Sequence, residues 1–138
     1  MNTYVIDCSF SSTLFLPDEN SDYTKKFFLN LETKDKVYTP VLWYYETANV
    51  LNISVKRKRL THSDAFSVSQ LFESLSFETD IYFGVHFTKE LFDLTQLYNI
   101  SSYDAVYLEL AMRKKAILKT LDKNLIQAAK KVGINYKG

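Results

Sequence analysis

Ala116-Ile-Leu-Lys-Thr-Leu-Asp-Lys-Asn-Leu-Ile-Gln-Ala-Ala-Lys-Lys-Val-Gly133 holds one complete structural unit. The short apolar run Ala116 to Thr120 reads as a strand. Asp122 stands where a helix N-cap belongs, Lys123 to Val132 continues as a helix, and Gly133 supplies the stop. A strand that hands over to a helix this quickly is the building block of a parallel α/β sheet.

The same alternation extends outward in both directions. Further strands are expected at Thr3 to Ile6, Lys36 to Tyr38, Asp80 to Phe83 and Ile134 to Tyr136. Helices are expected over Ser21 to Leu31, Pro40 to Lys56, Asp64 to Leu75, Thr88 to Tyr98 and Ser102 to Arg113. Thr39 reads as an N-cap with Pro40 at the first helical position, and Thr61 or Ser63 caps the third helix. The fold class is therefore α/β with a mostly parallel sheet of about five strands. In such sheets ligands bind beyond the carboxyl ends of the strands.

The chain has 138 residues, with three Gly, two Pro and no low-complexity tract, so residues 1–138 read as one domain without a flexible linker. A balance of 17 Lys and Arg against 16 Asp and Glu gives a net charge of +1, so any case for nucleic-acid binding must be local. The single Cys8 excludes an internal disulfide, and no signal peptide or membrane-length apolar stretch is present, which points to a cytoplasmic protein. Ten Tyr and ten Phe exceed what so small a core needs, so some rings are expected on a contact surface.

Four acids stand in or beside apolar runs: Asp7 after Thr3-Tyr-Val-Ile6, Glu46 within Val41 to Leu51, Asp104 within Ser101 to Leu108, and Asp122. Each has a local explanation or lacks one. Asp7 suits a turn at a strand end, Asp122 suits an N-cap, and Ser101 with Asp104 has capping-box spacing. Glu46 has only surface exposure on a helix that is apolar nearly all round, and helical spacing gives it Leu42, Trp43, Asn49 and Val50 as neighbours on its face. A joint explanation is convergence on a hard divalent cation, Mg²⁺ or Mn²⁺, which takes carboxylate oxygens and relieves their repulsion. Ser9 and Thr120, each two residues from an acid, then serve as hydroxyls that orient a water or a phosphate.

Val5-Ile-Asp-Cys-Ser9, Leu14-Phe-Leu-Pro-Asp-Glu19, Glu46-Thr-Ala-Asn-Val-Leu51, Ser102-Tyr-Asp-Ala-Val-Tyr107 and Lys119-Thr-Leu-Asp-Lys-Asn-Leu125 together resemble the successive motifs of PIN-domain ribonucleases. The likeness is nearest to VapC-type toxins of toxin–antitoxin pairs. It runs from about Tyr4 to Tyr136 with the motifs in family order. The resemblance implies a three-layer α/β/α fold and an endoribonuclease dependent on Mg²⁺ or Mn²⁺. It matches Asp7, Glu46, Asp104 and Asp122 to the family's acidic quartet and Thr120 to its nearby hydroxyl, with Asn49 as a polar companion one turn after Glu46. It also implies an RNA substrate, a homodimer and a cognate antitoxin. The stretch from Lys56 to Phe87 matches no motif.

Of the basic runs, Lys56-Arg-Lys-Arg59 is the densest, and Arg57 and Arg59 are the candidate RNA contacts. The alternative is that basic runs are solvated helix ends. Phe66, Leu71, Phe72 and Leu75 read as core, with a groove for a partner helix as the second option. His62 and His86 lack a ligand-spaced partner and read as surface or capping residues. Two rivals stand beside the nuclease. One is a catalytically inactive RNA- or protein-binding module of the same fold; the other is a phosphate-accepting signalling domain, which would want a second acid beside Asp7 where Cys8 and Ser9 stand. A nucleotide-binding reading fails for lack of a Gly-rich loop.

Overall fold

In a computed structural model, which describes residues 1–16 and 21–137, the described residues form five strands and seven helices. In order they are β1 (Thr3–Ile6), α1 (Cys8–Ser12), α2 (Asp22–Leu29), β2 (Lys36–Pro40), α3 (Val41–Lys56), α4 (His62–Ser74), β3 (Phe77–Asp80), α5 (Val85–Tyr98), α6 (Ser102–Lys114), β4 (Ile117–Lys119), α7 (Lys123–Val132) and β5 (Tyr136–Lys137). Pro17, Asp18 and Glu19 of the second sequence motif lie outside the described residues.

The strands form one sheet in the order β3-β2-β1-β4-β5, and all four pairings are parallel. Helices cover both of its faces, because successive side chains of a strand point to opposite sides. Val5 and Leu118 join the larger core, with Trp43 of α3, Phe72 of α4, Leu108 and Leu110 of α6, and Leu125 of α7. Ile6 and Val37 face the other way, against Phe10 and the aromatic ridge Phe27 and Phe28 of α2. The expected three-layer α/β/α arrangement is therefore present.

That second layer has an unusual anchor. Lys119 of β4 is 3% exposed, and its Nζ lies 2.8 Å from the Tyr23 hydroxyl. Its ammonium also stands 4.7 Å from the centroid of the Tyr23 ring and 4.9 Å from that of Phe27. Ring faces carry the negative side of the aromatic quadrupole, so the cation is held where burial would otherwise penalise it.

Most elements fall where the sequence places them, with three corrections. The strand expected at Asp80 to Phe83 lies earlier, at Phe77–Asp80. Its partner β2 ends at Pro40, which is paired with Asp80, and the chain then turns into α3. Ile81 and Phe83 thus have no ladder to join, and they are exposed. Second, α3 takes Pro40 rather than Thr39 as its N-cap; Thr39 is a fully buried strand residue. Third, α1 is a single turn of five residues that hydrophobic periodicity is too short to reveal. Smaller differences lie at the ends: α5 begins at Val85 and β5 at Tyr136.

The core reading of α4 holds in part. Phe72 is buried and Leu75 packs against the core, whereas Phe66 and Leu71 are exposed. His62 and His86 are both exposed, and His86 contacts the Tyr82 hydroxyl at 3.0 Å. No described helix is long and apolar enough to cross a membrane.

Candidate active site

Parallel register brings the first and last motifs together. Ile6 lies opposite Lys119, and the Asp7 amide donates to the Lys119 carbonyl at 3.1 Å. Asp7 and Thr120 therefore leave the sheet side by side at its carboxyl edge. Asp7 is buried, and it is the N-cap of α1, its Oδ1 accepting the Phe10 amide at 2.9 Å.

Two hydroxyls complete the hold on this carboxylate. Ser9 Oγ donates to Oδ1 at 2.7 Å, and Thr120 Oγ1 donates to Oδ2. Each hydroxyl also accepts an amide of the turn between β4 and α7: Leu121 to Ser9 and Asp122 to Thr120, both at 3.0 Å. The protons of Ser9 and Thr120 are thereby committed to Asp7, and the start of α1 is tied to the start of α7. Asp122 caps α7 through Oδ1, which accepts the Leu125 amide at 3.0 Å.

Asp104 approaches from α6, and Glu46 from α3. Ser101 caps α6 by accepting the Asp104 amide at 3.1 Å. Glu46 Oε1 accepts the Tyr107 hydroxyl at 2.5 Å, a contact between α3 and the turn of α6 that also bears Asp104. The cap and turn roles expected of Asp7 and Asp122 are thus real, and they coexist with proximity of the acids rather than replacing it.

That proximity is visible in their protonation. Asp7 is pushed up to about 6, chiefly by burial; hydrogen bonds from Thr120, Phe10 and Ser9 oppose the shift, and the charge of Asp122 adds to it. Asp104 is also raised to about 6, by burial first and then by the charges of Asp122 and Asp7. Glu46 is raised by burial and by the charge of Asp104, against the Tyr107 hydrogen bond. Burial lifts Tyr107 too, together with the carboxylate of Glu46, which makes its hydroxyl a firm donor. Asp104 is thus the hub, since it feels Asp7 and Asp122 and is itself felt by Glu46. Among the described residues, however, no three carboxylate, histidine or cysteine side chains already close on a single point.

Beside the acids, a cleft of about 610 Å³ opens between α1 and α3. Glu46 is the only one of the four acids in its wall, and Ser9 links the wall to Asp7. Asn49 and Ile53 continue the wall along α3, and Arg59 contributes beyond it. The Arg59 amide bonds the Ser54 carbonyl at 2.8 Å, which fixes Arg59 at the far end of α3. Glu46 and Ser54 are eight residues apart, roughly 12 Å along the helix axis. Arg57, the C-cap of α3, is exposed and not part of this wall.

Sequence reading missed Tyr107. Its signal was present in the spacing, since residue 107 lies three after Asp104 and shares its helix face. A hydroxylated ring among apolar positions of α6 is where a donor to a buried acid would sit.

Comparison with known proteins agrees with this architecture. The PIN domain family profile matches residues 4–131, and the chain belongs to that family. No curated protein matches the sequence significantly. Among solved structures, PAE2754 from Pyrobaculum aerophilum superposes with a TM-score of 0.69 at 21% identity, covering 98% of this chain and 90% of that one. VapC20 from Mycobacterium tuberculosis, a sarcin–ricin loop cleaving toxin, gives 0.67 at 12% identity, covering 95% of each chain. VapBC2 from Rickettsia felis, bound to a DNA fragment from their promoter, gives 0.66 at 16% identity, covering 98% and 97%. FitAcB from Neisseria gonorrhoeae gives 0.68 at 12% identity, covering 98% and 96%. At these identities the likeness is one of fold.

Proposed function

We propose that this PIN-domain protein is a Mg²⁺- or Mn²⁺-dependent endoribonuclease that hydrolyses RNA phosphodiester bonds, and that it is the toxin of a toxin–antitoxin pair. The observation that carries the reading is Asp7. It is a buried carboxylate at the carboxyl edge of the sheet, gripped by two hydroxyls and kept in the field of Asp104 and Asp122.

Such an arrangement suits a hard cation. The donors are all carboxylate oxygens, and their mutual repulsion marks a deficit of positive charge at the site. Mg²⁺ keeps several waters and needs only one or two direct carboxylates, so the spread of the acids fits it. Asp7, Glu46, Asp104 and Asp122 would hold it, directly or through water. When bound, a divalent cation stabilises charge on a phosphoryl oxygen and lowers the pKa of a bound water.

The chain's own residues do the rest. Ser9 and Thr120 fix the plane of the Asp7 carboxylate, and Asp122 and α7 are held to it through the same hydroxyls. The cleft accepts the RNA strand. Arg59 contacts a backbone phosphate at one end, while the scissile phosphate lies near Glu46 at the other. Asn49, between them, faces sugar or base. Water is the nucleophile, the bond from phosphorus to the leaving oxygen breaks, and no covalent enzyme intermediate is involved.

A module that merely binds RNA or protein has no use for four acids held in mutual repulsion, which favours the nuclease over its inactive rival. The likeness to VapC20, VapBC2 and FitAcB supports a toxin with a cognate antitoxin. Exposed Phe66 and Leu71 on α4, and Phe92 and Leu97 on α5, give apolar surface for that antitoxin and for a homodimer. The setting is the cytoplasm, where RNA is available. Cleavage of RNA with Mg²⁺ or Mn²⁺ by wild type and by Asp7→Asn is the test. Loss of metal-dependent cutting in the variant is expected, and equal cutting by both would sink the assignment.

A further inference from the structure

Glu46 is the acid least explained by its own surroundings, and the structure supplies what holds it. Its Oε1 accepts the Tyr107 hydroxyl at 2.5 Å, from a residue 61 positions away. Tyr107 is 2% exposed, in the core with Leu108 and Leu110, so its ring has little freedom to follow a moving carboxylate. Glu46 is only half-buried and stands in the wall of the cleft, where it has room to turn toward solvent. Asp104, which repels it, belongs to the same turn of α6 as Tyr107.

One turn of α6 therefore does two opposed things. It presents a carboxylate that would drive Glu46 away, and a hydroxyl that draws Glu46 in. A tyrosine hydroxyl has one proton, and here that proton is directed to Oε1, leaving Oε2 outside the pair. We infer that Tyr107 is a positioning residue, locking the Glu46 carboxylate in the orientation that lets it share a divalent cation with Asp104. The inference rests on the metal-dependent reading above and adds a residue to it. Partners that orient a ligand in this way typically change metal affinity by about 10- to 100-fold when removed.

The test is Mn²⁺ binding by calorimetry to wild type, Tyr107→Phe, Glu46→Gln and the double variant, with a melting curve for each. Tyr107→Phe keeps the ring and removes only the hydroxyl. It should bind Mn²⁺ about tenfold more weakly than wild type while melting within about 3 °C of it. In the Glu46→Gln background the same change should have no further effect, because the two residues act as one unit. Unaltered affinity in Tyr107→Phe, or an equal loss in both backgrounds, overturns the inference and leaves the nuclease reading standing. A wild type that binds no Mn²⁺ overturns both. Should Tyr107→Phe fail to fold, the Tyr107 ring carbon bearing the hydroxyl, followed by NMR in the wild type, replaces it. Its signal should shift with Mg²⁺ at the bulk saturation point, and an unmoved signal overturns the inference.

Discussion

Thr120 and Asp7 are 113 residues apart in the chain, yet the Thr120 hydroxyl donates to Oδ2 of Asp7 at the carboxyl edge of the sheet. The same oxygen of Thr120 accepts the Asp122 amide, so one hydroxyl connects the first acid to the segment bearing the last. Thr120 is fully buried, which leaves no water to replace it.

Replacing Thr120 tests that link. Thr120→Val keeps the shape but strands a buried carboxylate oxygen and an amide. It should cost about 2 kcal/mol of stability, read by urea denaturation. Thr120→Ser retains the hydroxyl and should recover most of the loss. Equal stability of the Val variant and wild type would show that the hydroxyl contributes nothing.

Protonation gives a second prediction, for the metal-free protein. Asp7 titrates near 3.8 when unfolded and at about 6 when folded. Between those values the folded state binds more protons than the unfolded one, so this group makes stability fall as pH rises. Asp104, also raised to about 6, acts in the same direction. In EDTA the protein should therefore melt lower at pH 7 than at pH 5. Asp7→Asn keeps an oxygen for the Phe10 amide and removes the titrating carboxyl, so this fall in stability with pH should flatten in the variant. Mg²⁺ should raise the melting temperature of wild type at pH 7 more than that of the variant. A wild-type melting point that rises steadily from pH 5 to pH 7 would contradict this.

The two arginines of the densest basic run should separate. Arg59 lines the cleft, and Arg57 does not. Arg59→Ala should weaken binding to a single-stranded RNA about tenfold and reduce the salt slope by roughly one phosphate contact. Arg57→Ala should do neither. Filter binding over a salt series distinguishes them, and matching losses would place the RNA elsewhere.

Arg113 offers a purely structural test. Its guanidinium forks onto Asp80 at 3.0 and 2.6 Å, bonds Glu109 at 2.6 Å and lies 4.6 Å from the centroid of the Tyr82 ring. It joins the end of β3 and the segment after it to α6. Lysine cannot reproduce the fork, so Arg113→Lys should destabilise by about 1 kcal/mol while leaving cleavage unchanged. Chemical denaturation and an RNA assay would check the pair of outcomes.

How legible these features were depended on their range. Caps are local, and Asp122, Thr61, Ser101 and Gly133 all end or begin helices as their types and positions suggest. The expected strand at Asp80 to Phe83 failed because its β-forming residues lie past the point where Pro40 ends the neighbouring strand. That limit is set by another segment and is invisible locally. Among the acids, the sequence showed which residues were misplaced and the order of the motifs suggested why. It did not show that Ser9 and Thr120 point at Asp7 rather than at water, or that Glu46 depends on Tyr107. The contacts of Thr120 with Asp7 and of Tyr107 with Glu46 span 113 and 61 residues and are created by parallel register and helix packing, whereas Ser9 lies two residues from Asp7 and is aimed by the single turn of α1. Arg59 and Arg57 were indistinguishable in sequence because the left-handed Lys58, at φ 59°, redirects the chain between them.

Lys119 ends β4 and Thr120 follows it directly, and the two send their side chains to opposite sides of the sheet. The first is clasped by the Tyr23 and Phe27 rings of the aromatic layer, the second by Asp7. The rear of the molecule and its acidic edge are thus separated by a single peptide unit. A substitution made on either face is therefore made one residue away from the other.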